Sequence, residues 1–153
     1  MPNTIHVLNG PNLNLLGERE PHIYGRDTLA DVEKACRAVA ARHGLELVFR
    51  QTNAEHQMID WLHQTRKGGA VGVAINPAAF CYNSVPVLDA LKMCDCPVVE
   101  VHISNIHNRE AEWRAHTITA VAATGMISGL GAMGYSLAVE WLAQKFNASM
   151  AKG

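Results

Sequence analysis

The sequence predicts an α/β fold in which helices cover both faces of a five-stranded parallel sheet. Strand-like and helix-like segments alternate along the whole chain, which is the pattern of doubly wound sheets. Residues 70–75 form an almost unbroken apolar run, as expected for a parallel strand covered on both faces. The 153 residues contain no linker, repeat or low-complexity segment. We therefore expect a single domain spanning residues 1–153.

Hydrophobic periodicity and turn signals predict the elements in order. Strands are expected at residues 5–8, 45–51, 70–75, 97–103 and within 117–127. Helices are expected at residues 28–43, from Asn53 to Gly68, from Ser84, at 109–115 and at 135–147, with fraying from about Ser149.

Three helix starts carry capping signals. Thr28 with Asp31 resembles a capping box, and Asn53 and Ser84 are candidate caps of the next two helices. Pro86 is tolerated in a first helical turn. Each helix has an apolar face, formed by Leu29, Val32, Cys36 and Val39, by Met58, Ile59 and Leu62, and by Val85, Leu88 and Leu91.

Composition excludes several classes of function. Thirteen basic and 14 acidic residues give a net charge of −1 with no basic stripe, so we expect no nucleic-acid partner. No apolar run approaches the ~20 residues that span a bilayer, and residues 1–10 lack signal-peptide features, so we expect a cytoplasmic protein. The four cysteines lack zinc-site spacing and are expected to be packing residues.

Polar residues gather where three predicted strands end. Ligands of open α/β sheets bind outside the carboxyl ends of the strands. These ends carry Asn9, Asn12 and Asn14, then Asn76, then Glu100, His102 and Ser104. Asparagines alone are equally typical of turns and caps. Glu100 and His102 are two residues apart and face one side of their strand, where a carboxylate can orient an imidazole for general-acid work.

The loop GEREPHIYG, residues 17–25, is a second candidate for function. Long polar loops between a strand and a helix are often lids. Unperturbed tyrosine is a poor base at neutral pH, but a neighbouring guanidinium stabilises its phenolate. Arg19 and Tyr24 could therefore form a base when the loop closes; an ordinary solvated loop is the alternative.

Other site types fit the sequence poorly. Residues 129–134 match G-x-G-x-x-G, but no further strand with an acidic residue follows, so we expect the glycines to serve turns and close packing. No lysine lies at a strand end, which argues against an imine mechanism. His107 and His116 have no third ligand at metal-site spacing, so no metal and no cofactor are expected.

From Ile5 to Leu142 the sequence resembles the type II 3-dehydroquinate dehydratases. The stretches that carry the resemblance are LNGPNLNLLGEREPHIYG, INPAAF, SVPVLDAL, VEVHISNIHNRE and SGLGAMGY. The resemblance implies a flavodoxin-like fold and a dodecamer built from trimers, with sites near subunit contacts. It also implies anti elimination of water from 3-dehydroquinate, through an enolate, to give 3-dehydroshikimate.

The resemblance also implies a role for individual residues. Tyr24 resembles the base that removes the C2 proton, and Arg19 the lid residue that keeps it ionised. Asn12 resembles the group that stabilises the enolate through a water. His102 resembles the acid that protonates the departing hydroxyl, with Glu100 behind it. The implied substrate contacts are Asn76, Asp89, Ile103, Ser104 and Arg114, with the backbone N–H groups of Ile103 and Ser104 holding the carboxylate.

The sequence departs from the family pattern on one side of the implied site. Tyr82 stands where a substrate-contacting histidine is usual, and Ala78 replaces a usual glycine. Residues 110–114 are one residue longer than the common pattern, so the sequence also departs from the family next to Arg114. Two other hypotheses therefore stay open: a diverged dehydratase of another cyclic hydroxy acid, and a non-catalytic binding protein of the same fold. The sequence does not separate biosynthetic from catabolic use of the reaction.

Overall fold

A five-stranded parallel sheet forms the centre of the molecule in the computed structural model, which describes residues 3–18 and 20–153. The strands are Thr4–Asn9 (β1), Glu46–Gln51 (β2), Ala70–Asn76 (β3), Val98–His102 (β4) and Gly125–Ser128 (β5). All four neighbouring pairs are parallel, in the order β2-β1-β3-β4-β5. This order is that of flavodoxin-like sheets, so the predicted fold class is confirmed.

Helices cover both faces of the sheet. They are Pro21–Tyr24 (α1), Leu29–Arg42 (α2), Glu55–Lys67 (α3), Phe80–Asn83 (α4), Val85–Lys92 (α5) and Met133–Ala151 (α6), with 3₁₀ turns at Leu13–Leu15, Glu112–Ala115 and Thr119–Ala122. Helices α2 and α6 contribute buried residues to one apolar cluster, and α3 and α5 to the other. None of the helices among the described residues is long and apolar enough to cross a bilayer.

Two of the three predicted helix caps are confirmed. Thr28 and Asp31 form a reciprocal capping box at the start of α2, and the Ser84 hydroxyl accepts the N–H of Val87 at 3.1 Å. The Asn53 cap is wrong, because α3 begins two residues later, after Ala54, whose N–H donates to the Thr52 hydroxyl. The Asn53 side chain instead accepts the backbone N–H of Asn12 at 2.9 Å, and so ties two strand ends together.

The elements after β4 differ most from those that the sequence predicts. The fifth strand spans only 125–128, because Thr117 and Thr119 turn their hydroxyls to Glu100 and residues 119–122 form a 3₁₀ turn. The helix predicted at 109–115 is replaced by a 3₁₀ turn at Glu112–Ala115, and Arg109 lies before this turn with its side chain bound to Tyr24 and Ser104. Helix α6 extends to Ala151 rather than fraying from Ser149.

The glycines of residues 129–134 serve turn and packing, as predicted. Gly131 has φ 67, in the left-handed region that favours glycine. At Gly134, a Cβ atom would lie 3.3 Å from the side chain of Ile127, so the absence of a side chain lets α6 pack close to β5.

The strand order brings the predicted polar residues to one edge of the sheet. Strand β3 lies between β1 and β4, and Asn9 is in register with Asn76. His102 ends β4 beside them. Because parallel strands end at the same edge, the functional groups predicted from three separate segments meet there.

Candidate active site

An inner cavity of about 110 Å³ lies at this edge and opens beside an outer cleft of about 870 Å³. Five residues line both spaces: Tyr24, Ile103, Ser104, Arg109 and Arg114. Nine more complete the inner cavity: Pro11, Asn12, Leu13, Asn76, Ala78, Ala79, Tyr82, His102 and Ile106. The cavity therefore collects residues from the ends of β3 and β4 and from the loops that follow β1, β3 and β4.

Glu100 and His102 form a buried pair at the end of β4. The carboxylate of Glu100 is fully buried, and its Oε2 lies 2.8 Å from Nε2 of His102. His102 lines the inner cavity while its Nε2 is engaged by the carboxylate, so Nδ1 is the nitrogen available to a ligand. A carboxylate in this place fixes the orientation of the ring and stabilises an imidazolium.

Tyr24 is half-buried at the end of α1 and meets Arg109, a residue that the sequence reasoning missed. Nη2 of Arg109 donates to the Tyr24 hydroxyl at 3.2 Å, and its guanidinium carbon lies 5.3 Å from the centre of the ring. The same nitrogen donates to the Ser104 hydroxyl at 2.5 Å. Arg19, the residue expected to act on Tyr24, lies outside the described residues.

The backbone just past β4 offers hydrogen-bond donors to a ligand. Within the described residues, the N–H groups of Ile103 and Ser104 have no acceptor, whereas the carbonyl of Ile103 accepts the N–H of Gly131. Both residues line the inner cavity. Adjacent free N–H groups form a concave site of the kind that binds carboxylates and other anions.

Asn76 is held in place by a buried network. Its Nδ2 donates to the Tyr135 hydroxyl at 2.8 Å, and its Oδ1 accepts the N–H of Ala78 at 3.1 Å. The Tyr135 hydroxyl donates in turn to Asn9 at 2.8 Å. Burial raises the pKa of Tyr135, so this hydroxyl stays neutral and acts as a structural link. The Asn76 side chain is thereby presented to the cavity in one orientation.

Asn12 stands at the mouth of the cavity in a left-handed conformation, with φ 70. Its backbone N–H is bound to Asn53, and its exposed side chain makes no hydrogen bond within the described residues. The side-chain amide is therefore available to a water or a ligand.

Tyr82, Trp113 and Arg114 form a stacked group at the cavity wall. The rings of Tyr82 and Trp113 meet edge to face, with centroids 5.0 Å apart. The guanidinium carbon of Arg114 lies 5.6 Å from the Tyr82 ring and 4.6 Å from the Trp113 ring. Arg114 and Tyr82 both line the inner cavity, so the tyrosine anchors an arginine there.

Asp89 is not brought to the site within the chain. It lies exposed on α5 and lines neither the inner cavity nor the outer cleft. Of the eleven site residues singled out in the sequence, Asp89 is thus outside the cavity, Glu100 sits behind it, and Arg19 is not described.

The described residues offer no obvious place for a metal or a reactive thiol. No group of three or more potential metal ligands is found among them. Burial raises the pKa of Cys36 and of Cys81 to about 12, so both thiols are neutral packing groups.

The sequence and the fold match one known class of enzyme. Residues 3–143 match the family described as Dehydroquinase class II. The chain is 55% identical to the 3-dehydroquinate dehydratase of Methylobacterium radiotolerans, over 94% of this chain and 95% of that protein. It is 51% identical to 3-dehydroquinate dehydratase 2 of Pseudomonas aeruginosa, over 97% of this chain and 99% of that protein.

A solved structure agrees with the sequence relatives. The crystal structure of the type II dehydroquinase from Propionibacterium acnes superimposes with a TM-score of 0.88 at 44% identity, over 94% of this chain and 98% of that chain. The chain therefore belongs to the class II dehydroquinase family, whose members are hydro-lyases.

Proposed function

We propose that the protein converts 3-dehydroquinate to 3-dehydroshikimate by anti elimination of water through an enolate. The observation that carries the proposal is that one cavity holds two proton-transfer groups with separate partners. Tyr24 contacts Arg109, and His102 contacts Glu100. A stepwise elimination needs a base for one proton and an acid for the leaving hydroxyl.

Tyr24 is the base that removes the proton from C2, next to the ketone. A phenol must lose its own proton to act in this way, and the Arg109 guanidinium stabilises the phenolate that results. Arg19 adds a second positive charge when the loop closes. Such a group typically contributes about 10²–10⁴-fold to the rate.

The enolate and the substrate carboxylate are held by neutral donors. The free side-chain amide of Asn12 orients a water toward the enolate oxygen, as preorganised donors do for developing negative charge. The N–H groups of Ile103 and Ser104 bind the carboxylate, Asn76 and Arg114 hold the ring hydroxyls, and the ring of Tyr82 supports Arg114 against the substrate.

His102 is the acid that completes the reaction. Glu100 binds Nε2, so a proton on Nδ1 is given to the hydroxyl that leaves C1, and the C1–C2 double bond forms as the enolate collapses. The product is an enone conjugated with a carboxylate. In this proposal, side chains and backbone groups carry out every step, without a cofactor.

The subunit arrangement is part of the proposal. We expect a homo-oligomer, a dodecamer built from trimers, in which the exposed Asp89 of one subunit reaches the site of another. The cytoplasmic location and the absence of nucleic-acid and membrane partners stay predictions.

A diverged substrate is the second candidate, and Tyr82 favours it. A neutral tyrosine beside Arg114 presents a larger, uncharged surface than the histidine expected there. An enzyme with this change could keep the elimination chemistry and accept another cyclic hydroxy acid.

Turnover of 3-dehydroquinate tests the proposal. Purified protein and substrate should give a rising ultraviolet absorbance from the conjugated product, and Tyr24→Phe should nearly abolish it while substrate still binds. Folded, oligomeric protein that gives no signal would contradict the assignment of this substrate and favour the second candidate. Near-normal kcat in Tyr24→Phe would contradict the assigned base.

A further inference from the structure

Glu100 is surrounded by hydrogen-bond donors on both of its oxygens. Oε2 accepts from the Thr117 hydroxyl at 2.9 Å in addition to its contact with His102, and Oε1 accepts from the Thr119 hydroxyl. Glu100 and Thr119 are both fully buried. Thr119 begins the 3₁₀ turn Thr119–Ala122, and Thr117 lies two residues before it. Neither residue has a role in the reaction proposed above.

The number of protons in this cluster restricts its state. Each threonine hydroxyl carries one proton, and the two hydroxyl oxygens lie 3.0 Å apart. When both protons point to Glu100, none is left for the contact between the threonines. The carboxylate then accepts three bonds in all, two from hydroxyls and one from Nε2–H of His102, which suits an ionised group.

We propose that Thr117 and Thr119 are positioning residues that hold Glu100 as a carboxylate, so that the proton between Glu100 and His102 stays on the imidazole. Because Nε2–H of His102 donates a hydrogen bond to Glu100, the proton available to the leaving hydroxyl is the one on Nδ1, which faces the cavity. This inference rests on the proposed function, because it assigns the state of the group that protonates the leaving hydroxyl.

The two hydroxyls, rather than a neighbouring cation, stabilise the carboxylate of Glu100. Within the described residues, no arginine or lysine bonds Glu100. Burial keeps the Cys81 thiol beside it neutral by raising its pKa to about 12. The other titratable or charged groups facing the pair line the cavity on the side of His102, and they are Tyr24, Tyr82, Arg109 and Arg114.

Loss of a hydroxyl has a definite consequence. A buried carboxylate oxygen without a donor has a higher affinity for a proton, which shifts the proton from His102 toward Glu100. Neutral imidazole is a weaker acid than imidazolium, so kcat falls. The pair as a whole binds its proton more tightly, so the alkaline limb of the pH profile of kcat moves to higher pH.

The test compares Thr119→Val and Thr117→Val with a matched control. Thr65 is a buried threonine near the end of α3 that lines neither the inner cavity nor the outer cleft, and its hydroxyl donates to the Leu62 carbonyl. Thr65→Val therefore makes the same chemical change away from the site. We expect both site variants to lower kcat about 10-fold or more, with KM within about twofold and the alkaline limb about 0.5–1 pH unit higher. Thr119→Ser restores both values.

The outcomes separate the possible failures. If a site variant leaves kcat and the alkaline limb as they are in Thr65→Val, or lowers kcat equally at every pH, the inference is wrong. If Thr119→Val does not fold, Thr117→Val, at a half-buried position, decides the matter by the same criteria. A wild-type protein that does not turn over 3-dehydroquinate contradicts the proposed function rather than the role of the threonines.

Discussion

The guanidinium of Arg109 lies against the ring of Tyr24, 5.3 Å from its centre, and donates to its hydroxyl at 3.2 Å. This contact joins the loop after β4 to the segment expected to act as a lid. It places a permanent positive charge where a phenolate would form. The residue predicted to act as base thus has a cationic partner from the loop after β4 rather than from its own loop.

Replacing Arg109 tests whether that charge serves the base. We expect Arg109→Gln to lower kcat by about 10²-fold, because the phenolate loses its stabilising cation, and Arg109→Lys to recover part of the loss as a point charge. Steady-state kinetics measure the change. Arg66→Gln, which removes an exposed arginine paired with Asp95, is the control and should leave kcat unchanged. A kcat within twofold of wild type in Arg109→Gln would show that Arg109 does not stabilise the phenolate of Tyr24.

Tyr82 is expected to act through its ring rather than its hydroxyl. Tyr82→Phe keeps the stacked group with Trp113 and Arg114, so KM should change by less than about threefold. Tyr82→Ala removes the support of Arg114 and should raise KM about 10-fold with a smaller effect on kcat. Burial raises the pKa of Tyr82, so these differences should not depend on pH in the neutral range. A Phe variant as impaired as the Ala variant would assign the role to the hydroxyl instead.

Ala78 is in a strained conformation that a glycine would relieve. Its φ is 50, in the left-handed region that costs a non-glycine residue about 1–2 kcal/mol. Glycine loses about 0.5–1 kcal/mol through its flexibility, so Ala78→Gly should raise the free energy of unfolding by about 0.5–1 kcal/mol.

The neighbouring alanine provides the control for this change. Ala79 has φ −65 and ψ −16, which alanine adopts without strain, so Ala79→Gly should lower the free energy of unfolding by about 0.5–1 kcal/mol. Denaturant titration of both variants gives the comparison. Destabilisation by both substitutions to a similar extent would show that Ala78 is not strained.

The sequence predicted the periodic parts of the fold well. Helix α2 has a capping box and an apolar face, and β3 is a continuous apolar run, so local signals and burial agree in both. For the fifth strand, the sequence predicts only a place within residues 117–127. In the structure the hydroxyls of Thr117 and Thr119 turn to Glu100, a contact that no local pattern contains.

The sequence predicted the pair at the end of β4 and missed Arg109, whose long side chain reaches the candidate site from a loop. Glu100 and His102 share a strand face, so a spacing of two predicted their pairing. Arg109 follows β4 in a loop, and its target is set by the path of that loop toward Tyr24. A signal was present, since Arg109 is a cation in a polar stretch just beyond two candidate site residues, but spacing alone does not say where such a side chain reaches.

Exchange of the C2 hydrogen of 3-dehydroquinate in deuterated water tests whether Tyr24 is the base and His102 the acid. His102→Ala removes the acid but leaves Tyr24 and Arg109 in place. We expect this variant to form almost no enone but still to incorporate deuterium at C2, because the enolate forms and is protonated again. Tyr24→Phe should do neither. Deuterium exchange in Tyr24→Phe, or none in a substrate-bound His102→Ala, would contradict the separation of base and acid between these two residues.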